Sequence, residues 1–228
     1  MLEAVLFDWN NTLVEFTWDD ALLADGHRAA LAAIGSDEEQ AAFTARYRPR
    51  MLEQAQPGDD YGEHLRALLG PLSDDEIDAF IDAEHEAWRP AHSVLGSAQA
   101  LLDSLRGRGL KTGVVANSWP EPTRLLRADA EAYGLAGLLD VQVYSGDVGV
   151  RKPAPEIFLR ALDELGVDPL AAMFVGDRLD ADVQGAAGVG MTTVQALWFN
   201  ADDTPGIEPD FTAFTPMDVL NAVRRLAP

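Results

Sequence analysis

Cysteine is absent from these 228 residues, which excludes disulfide staples and thiolate metal sites without fixing the compartment. Basic residues are scarce: 17 lysines and arginines stand against 38 aspartates and glutamates, for a formal charge of -21. Such a surface repels polyanions at long range, so no nucleic acid is expected as a partner. A charged, soluble exterior explains most of this excess, and a site that gathers divalent cations is the alternative. Long apolar runs are missing as well. None approaches the ~18–20 residues of a membrane span, and the start MLEAVLFDWN lacks the basic flank and cleavage site of a secretory signal. The chain is therefore expected to be cytoplasmic, without membrane contact, and a monomer or homodimer. Its length and 47% hydrophobic share allow a full core, as one large domain or as a main domain with a smaller insert.

What is present changes texture twice. Residues 2–8 are nearly continuously apolar and predict a short buried strand. From Trp18 to about Arg89 the pattern is helical and acidic, with no strand signal. DDALLADGHRAALAAIG ends on a glycine stop, and SDEEQAAFTARYRPRML opens with serine and an acidic first turn. Two similar segments follow at 62–69 and 73–88, the second with Ser73 and Glu76 spaced as a capping box. This predicts a four-helix insert. After Pro90 short β-like runs alternate with amphipathic helices, as in βαβ units and a parallel sheet. Strands are expected at 111–116, 139–144, 172–175, 192–195 and 211–214, and helices at 97–108, 121–133, 155–165, 181–187 and 216–226. The expected fold is α/β: a Rossmann-like, doubly wound parallel sheet formed by residues 1–15 and 91–228, with residues 16–90 as an inserted helical cap.

Four polar groups fall at or just beyond the carboxyl ends of predicted strands, where such sheets bind ligands. They are Asp8, the ANS of residues 116–118, the GVRKP around Lys152, and GDRLDAD from Gly176 to Asp182. One acidic strand end means little. Two carboxylate clusters at neighbouring strand ends must raise one another's pKa or share a cation, and a hard ion such as Mg²⁺ suits oxygen ligands of this kind. Asp177 ends the apolar strand AAMFVG and is expected to face Asp8. Five residues of helix would turn Asp182 away from Asp177, so a loop is expected to return it. Lys152 can neutralise a carboxylate and a phosphate oxygen together, or stand solvated at the surface.

FDWNNTL, VVANS, VGVRKPAPEIF and FVGDRLDADVQGAAGVGM, in that order, resemble the four motifs of the haloacid dehalogenase superfamily, most of whose members are Mg²⁺-dependent phosphatases. The insert resembles that family's C1 helical cap. The resemblance implies a phosphatase of a small phosphorylated metabolite, with Asp8 as the nucleophile that forms an aspartyl-phosphate. It implies Mg²⁺ held by Asp8, the backbone carbonyl of Asn10, and Asp177, with Asp182 bound directly or through water. Lys152 would offset charge from the opposite side. The backbone N–H groups of Trp9 and Asn117 would cradle the phosphate.

Three positions depart from the family pattern. Asn10 stands where an acid/base aspartate is usual. An amide hydrogen-bonds but carries no proton, so substrates with poor leaving groups are expected to lose ~10²–10⁴ in rate, and acyl or aryl phosphates least. Ala116 replaces a threonine or serine that would bind phosphate, a task for which Asn117 or Ser118 can stand in. Asn11 replaces a frequent glycine and tolerates left-handed backbone angles. The phosphonatase branch uses a cap lysine, and residues 18–89 contain none. A 2-haloacid dehalogenase, or a catalytically weak relative that binds phosphate or a protein as a regulator, remains the alternative. Arg46, Arg48 and Arg50 either hold a second anionic group or pair with acidic helices. His27, His64, His85 and His92 lack metal-ligand spacing and read as surface or packing residues. Trp9 and Trp119 either shape the pocket or pack beneath the loops.

Overall fold

A computed structural model describes residues 1–52, 60–119 and 121–226. In chain order the elements are β1 (Ala4–Phe7), β2 (Val14–Phe16), α1 (Asp20–Ala33), α2 (Gln40–Leu52), α3 (Tyr61–Leu69), α4 (Asp74–Trp88) and β3 (His92–Val94). Then come α5 (Ala98–Arg106), β4 (Lys111–Ala116), α6 (Thr123–Ala132), β5 (Val141–Tyr144), α7 (Ser145–Val148) and α8 (Pro155–Leu165). The chain ends with β6 (Ala172–Gly176), α9 (Gln184–Val189), β7 (Thr192–Ala196), β8 (Phe211–Ala213) and α10 (Pro216–Leu226). Chain contacts divide it into two compact units: Met1–Glu15, Val94–Ser118 and Leu126–Pro228 form the first, and Phe16–Ser93 with Trp119–Leu125 the second. The helical part, expected over 16–90, therefore takes in the separate segment 119–125 in this division.

The first unit holds a six-stranded parallel sheet in the order β5-β4-β1-β6-β7-β8. Its period-two side-chain alternation sorts residues onto two faces. Val5, Phe7, Met173 and Val175 pack with α5, α6 and α10, whereas Ala4, Leu6, Ala172 and Phe174 pack with α8 and α9. Covered on both faces, β1 and β6 carry no polar residue. Truncating a fully enclosed residue such as Phe174 to alanine would cost ~3–5 kcal/mol. Strand order reverses between β1 and β6, so their carboxyl ends open the crevice of a doubly wound sheet. Phe7 pairs with Val175 in register, and the Asp8 N–H donates to the Val175 carbonyl at 2.9 Å.

The second unit is a helical bundle in which α1 and α4 share the most extensive packing, around Leu23, Leu31, Phe43, Leu65 and Phe80. Asp19 and Asp60 cap α1 and α3, and Ser73 with Glu76 forms the capping box expected at α4. Besides the short helix α7, two strands escaped the sequence reading: β2 and β3, which pair as a small sheet where the chain enters and leaves the helical stretch. At three residues each they are too short for a period-two pattern to register. No helix among the described residues is long and apolar enough to cross a membrane.

Candidate active site

Asp8, Asp177, Asp182 and Lys152 come together at the carboxyl end of the sheet, each less than a tenth exposed. One oxygen from each carboxylate lies within 4.8 Å of the others. The Lys152 ammonium donates to Asp8 Oδ1 at 2.5 Å and lies 2.7 Å from Asp182 Oδ1. The second contact is a buried ion pair. Lys152 is therefore no solvated surface cation.

Local structure explains each placement. Asp8 and Asp177 directly follow the paired strands β1 and β6. Asp182 reaches the site through a π-helical turn, Leu179–Val183, rather than the loop expected from the sequence. The wider turn brings Asp182 Oδ2 back onto the Arg178 N–H at 3.0 Å. Gly176 makes room for this approach, since a Cβ there would lie 2.6 Å from Asp182 Cβ.

Lys152 is held by its backbone. Its N–H donates to Asn117 Oδ1 at 2.8 Å, and Asn117 Nδ2 donates to its carbonyl at 3.2 Å. Ser118 ties the same loop: its N–H donates to Ser145 Oγ, and its Oγ accepts from the Gly146 N–H, both at 2.9 Å. The side chains expected to stand in for the hydroxyl missing at Ala116 are thus engaged in fastening β4 to the lysine loop. Ala116 itself is buried at the end of β4.

The turn after β1 carries the departures. Asn11 takes the left-handed conformation, φ 56°, as its residue type allows. Asn10 Oδ1 is buried with no hydrogen-bond partner. Trp9 is buried and stacks on Tyr133 at 6.3 Å, a packing role.

A segment that the sequence reading passed over braces both acidic loops. Trp198 Nε1 donates to the Thr12 carbonyl at 2.9 Å, and Asp202 Oδ2 accepts from the Leu179 N–H at 2.7 Å. Gln195 Nε2 holds the Asp202 carbonyl at 2.7 Å, and the Asn200 side chain pulls the Asp177 pKa down. The signal was present: the polar run after β7 also lies beyond a strand's carboxyl end.

Electrostatics mark the site as short of positive charge. Burial, then the Asp8 and Asp182 carboxylates, push Asp177 up to about 7, against the opposing pull of Lys152 and Asn200. Burial raises Asp182 to about 6 although Lys152 pulls the other way. For Lys152 burial would lower the pKa, but Asp182 and Asp8 outweigh it and the ammonium is held above its usual range. Three buried carboxylates facing one ammonium fit a hard, oxygen-seeking dication, which removes their mutual repulsion and suits their all-oxygen donor set.

The remaining sequence candidates lie in the helical unit. Arg46 pairs with Glu38 and bonds the Leu68 carbonyl, and Arg48 pairs with Asp20, which is the plainer of the two readings. His27 is fully buried rather than superficial, bonded to Thr44 Oγ1 at 2.7 Å and 3.3 Å from Glu84. Glu84 in turn accepts from the Tyr61 hydroxyl at 2.6 Å, and Tyr61 meets the Tyr47 hydroxyl at 2.8 Å. Trp119 sets its ring edge-on to Tyr61 and His64.

A doubly wound parallel sheet with an acidic, lysine-bridged cluster at its switch point defines a class of α/β hydrolases that work on anionic substrates. The chain belongs to the haloacid dehalogenase-like hydrolase family, whose model matches residues 2–190. A glyceraldehyde 3-phosphate phosphatase of Methanopyrus kandleri is 30% identical across 100% of this chain and 99% of its own length. A phosphoglycolate phosphatase of Aquifex aeolicus is 27% identical, over 96% of this chain and 95% of its own. The crystal structure of a phosphatase of the same superfamily from Thermococcus onnurineus superposes with a TM-score of 0.72 at 25% identity, covering 97% of this chain and 98% of that one.

Proposed function

We propose that this hydrolase is a Mg²⁺-dependent phosphatase of small phosphorylated metabolites, working through an aspartyl-phosphate on Asp8. The observation that carries the reading is the placement of Asp8 at the switch point, bonded to Lys152 and flanked by Asp177 and Asp182. The relatives named as phosphatases of glyceraldehyde 3-phosphate and phosphoglycolate support the substrate class.

Asp8, Asp177 and Asp182, with the carbonyl of Asn10, would hold Mg²⁺. The ion supplies charge neutralisation between an anionic nucleophile and an anionic phosphoryl group. Asp8 attacks phosphorus, a bond from its carboxylate oxygen forms, and the bond to the leaving oxygen breaks. Lys152 keeps Asp8 oriented and offsets the charge of the transferred group. Backbone N–H groups of Trp9 and Asn117 serve as the phosphate cradle. Asn10 orients but transfers no proton.

Aryl, acyl and alkyl phosphates assayed with Mg²⁺ against the Asp8→Asn protein provide the test. Turnover is expected on aryl and acyl phosphates, and the substitution should abolish it. Equal turnover by both proteins would end the reading. Metal-free release of halide from a 2-haloacid would favour the dehalogenase alternative, and phosphate binding without turnover the regulatory one.

A further inference from the structure

Asn10 alters the two halves of the proposed cycle unequally. In the first half the P–O bond to the leaving group breaks, and its electron pair departs on that oxygen. A carboxylate or phenolate needs no proton to leave. In the second half water oxygen attacks phosphorus, the P–O bond to Asp8 breaks with its pair returning to the carboxylate, and one proton of that water must go to a base. The base is required whatever the substrate was.

Among the described residues, those gathered around Asp8 and Asn10 in the core unit offer none. Asn10 Oδ1 is buried without a partner; an amide oxygen can accept a hydrogen bond from water but does not take its proton. Lys152 is a donor to Asp8 and lies against Asp182. Asn117 is committed on both side-chain atoms to the Lys152 backbone, and Ser118 Oγ to Gly146 and Ser145. Asp177 and Asp182 are grouped with Asp8 as ligands for an ion.

We infer that hydrolysis of phosphoryl-Asp8 is the slow step, so that small acyl or aryl phosphates convert the chain into a form phosphorylated at Asp8. This rests on the phosphatase reading above and adds which covalent state accumulates. The loss of base catalysis corresponds to ~10²–10⁴ in the rate of the second half, whereas the first half is spared for leaving groups that need no proton.

Rapid mixing of the full chain with Mg²⁺ and p-nitrophenyl phosphate, alongside intact-mass analysis of chain quenched in acid, tests this. The expected result is a burst of nitrophenolate near one equivalent, then a slow linear phase, with one phosphoryl group gained and located on Asp8. Asn10→Asp should remove the burst and raise the linear rate by ~10²-fold or more. Linear release from the first turnover, with no mass gain in the parent chain, would overturn the inference while leaving the phosphatase reading intact. No release beyond that of Asp8→Asn, with acetyl phosphate as well, would overturn both. The mass measurement on the parent chain does not depend on whether Asn10→Asp folds.

Discussion

Asp177 and Asp182 titrate near 3.8 in an unfolded chain, but the fold raises them to about 7 and about 6. Folded carboxyls that keep protons the unfolded chain has lost make stability fall as pH rises. Their contribution is neutral below the unfolded value, declines through the interval up to the folded values, and is fully unfavourable above about 7. A dication bound to the ionised carboxylates opposes that decline and displaces their protons. Mg²⁺ is therefore expected to raise the melting temperature more at about pH 8 than at about pH 5, and calorimetry near pH 6.5 in buffers of different ionisation enthalpy should detect proton release. Asp177→Asn should shrink the difference between the two pH values. An equal Mg²⁺ shift at both would show that the titration of these groups is not linked to the ion.

The π turn Leu179–Val183 is the element on which the site depends, and Gly176 is what allows it. Gly176→Ala drives a Cβ to 2.6 Å from Asp182 Cβ, so the turn must shift. A loss of ~1–3 kcal/mol in stability is expected from overpacking, with weaker Mg²⁺ binding by calorimetry; unchanged affinity would mean that Asp182 is not held by this turn. At this scale the sequence was legible where signals are local. Helices α8 and α10 end where expected, at Pro155–Leu165 and Pro216–Leu226, because each has proline in the first turn and α8 closes on the left-handed Gly166. Continuous apolar runs located β1 and β6, and with them Asp8 and Asp177 as neighbours at strand ends. What escaped depends on contacts across the chain. The Trp198 bond to the Thr12 carbonyl spans 186 positions, and the Asn117 clamp on Lys152 spans 35; no periodicity encodes either. Helical arithmetic at 3.6 residues per turn likewise called for a loop to return Asp182 to the site, where a π turn of different pitch does so.

Over the whole molecule, a charge of -21 leaves few cations to balance buried acids, and the two units solve this differently. The first sets Lys152, one of only two lysines in the chain, against Asp8 and Asp182 and leaves three buried carboxylates facing one ammonium. The second places Glu84 against His27 and the Tyr61 hydroxyl, and burial followed by the Glu84 charge drives the Tyr61 pKa well above its usual value. In that network the Tyr61 hydroxyl bonds Glu84 and Thr44 bonds His27, while His27 Nε2 and Glu84 Oε1 approach at 3.3 Å without a hydrogen bond. Because the two units have separate apolar cores, their perturbations should separate as well. Glu84→Ala leaves the buried Tyr61 hydroxyl without its carboxylate acceptor, at a cost of ~1–3 kcal/mol. Scanning calorimetry of the parent and variant, with and without Mg²⁺, should find the variant less stable by about that amount and the Mg²⁺ stabilisation preserved to within ~0.5 kcal/mol, as for independent sites. Glu84→Gln, which keeps an acceptor for the tyrosine, should recover part of the loss. If Glu84→Ala instead removed the Mg²⁺ stabilisation, the carboxylate cluster and the bundle network would be one coupled system, and the placement of the ion among Asp8, Asp177 and Asp182 alone would be wrong.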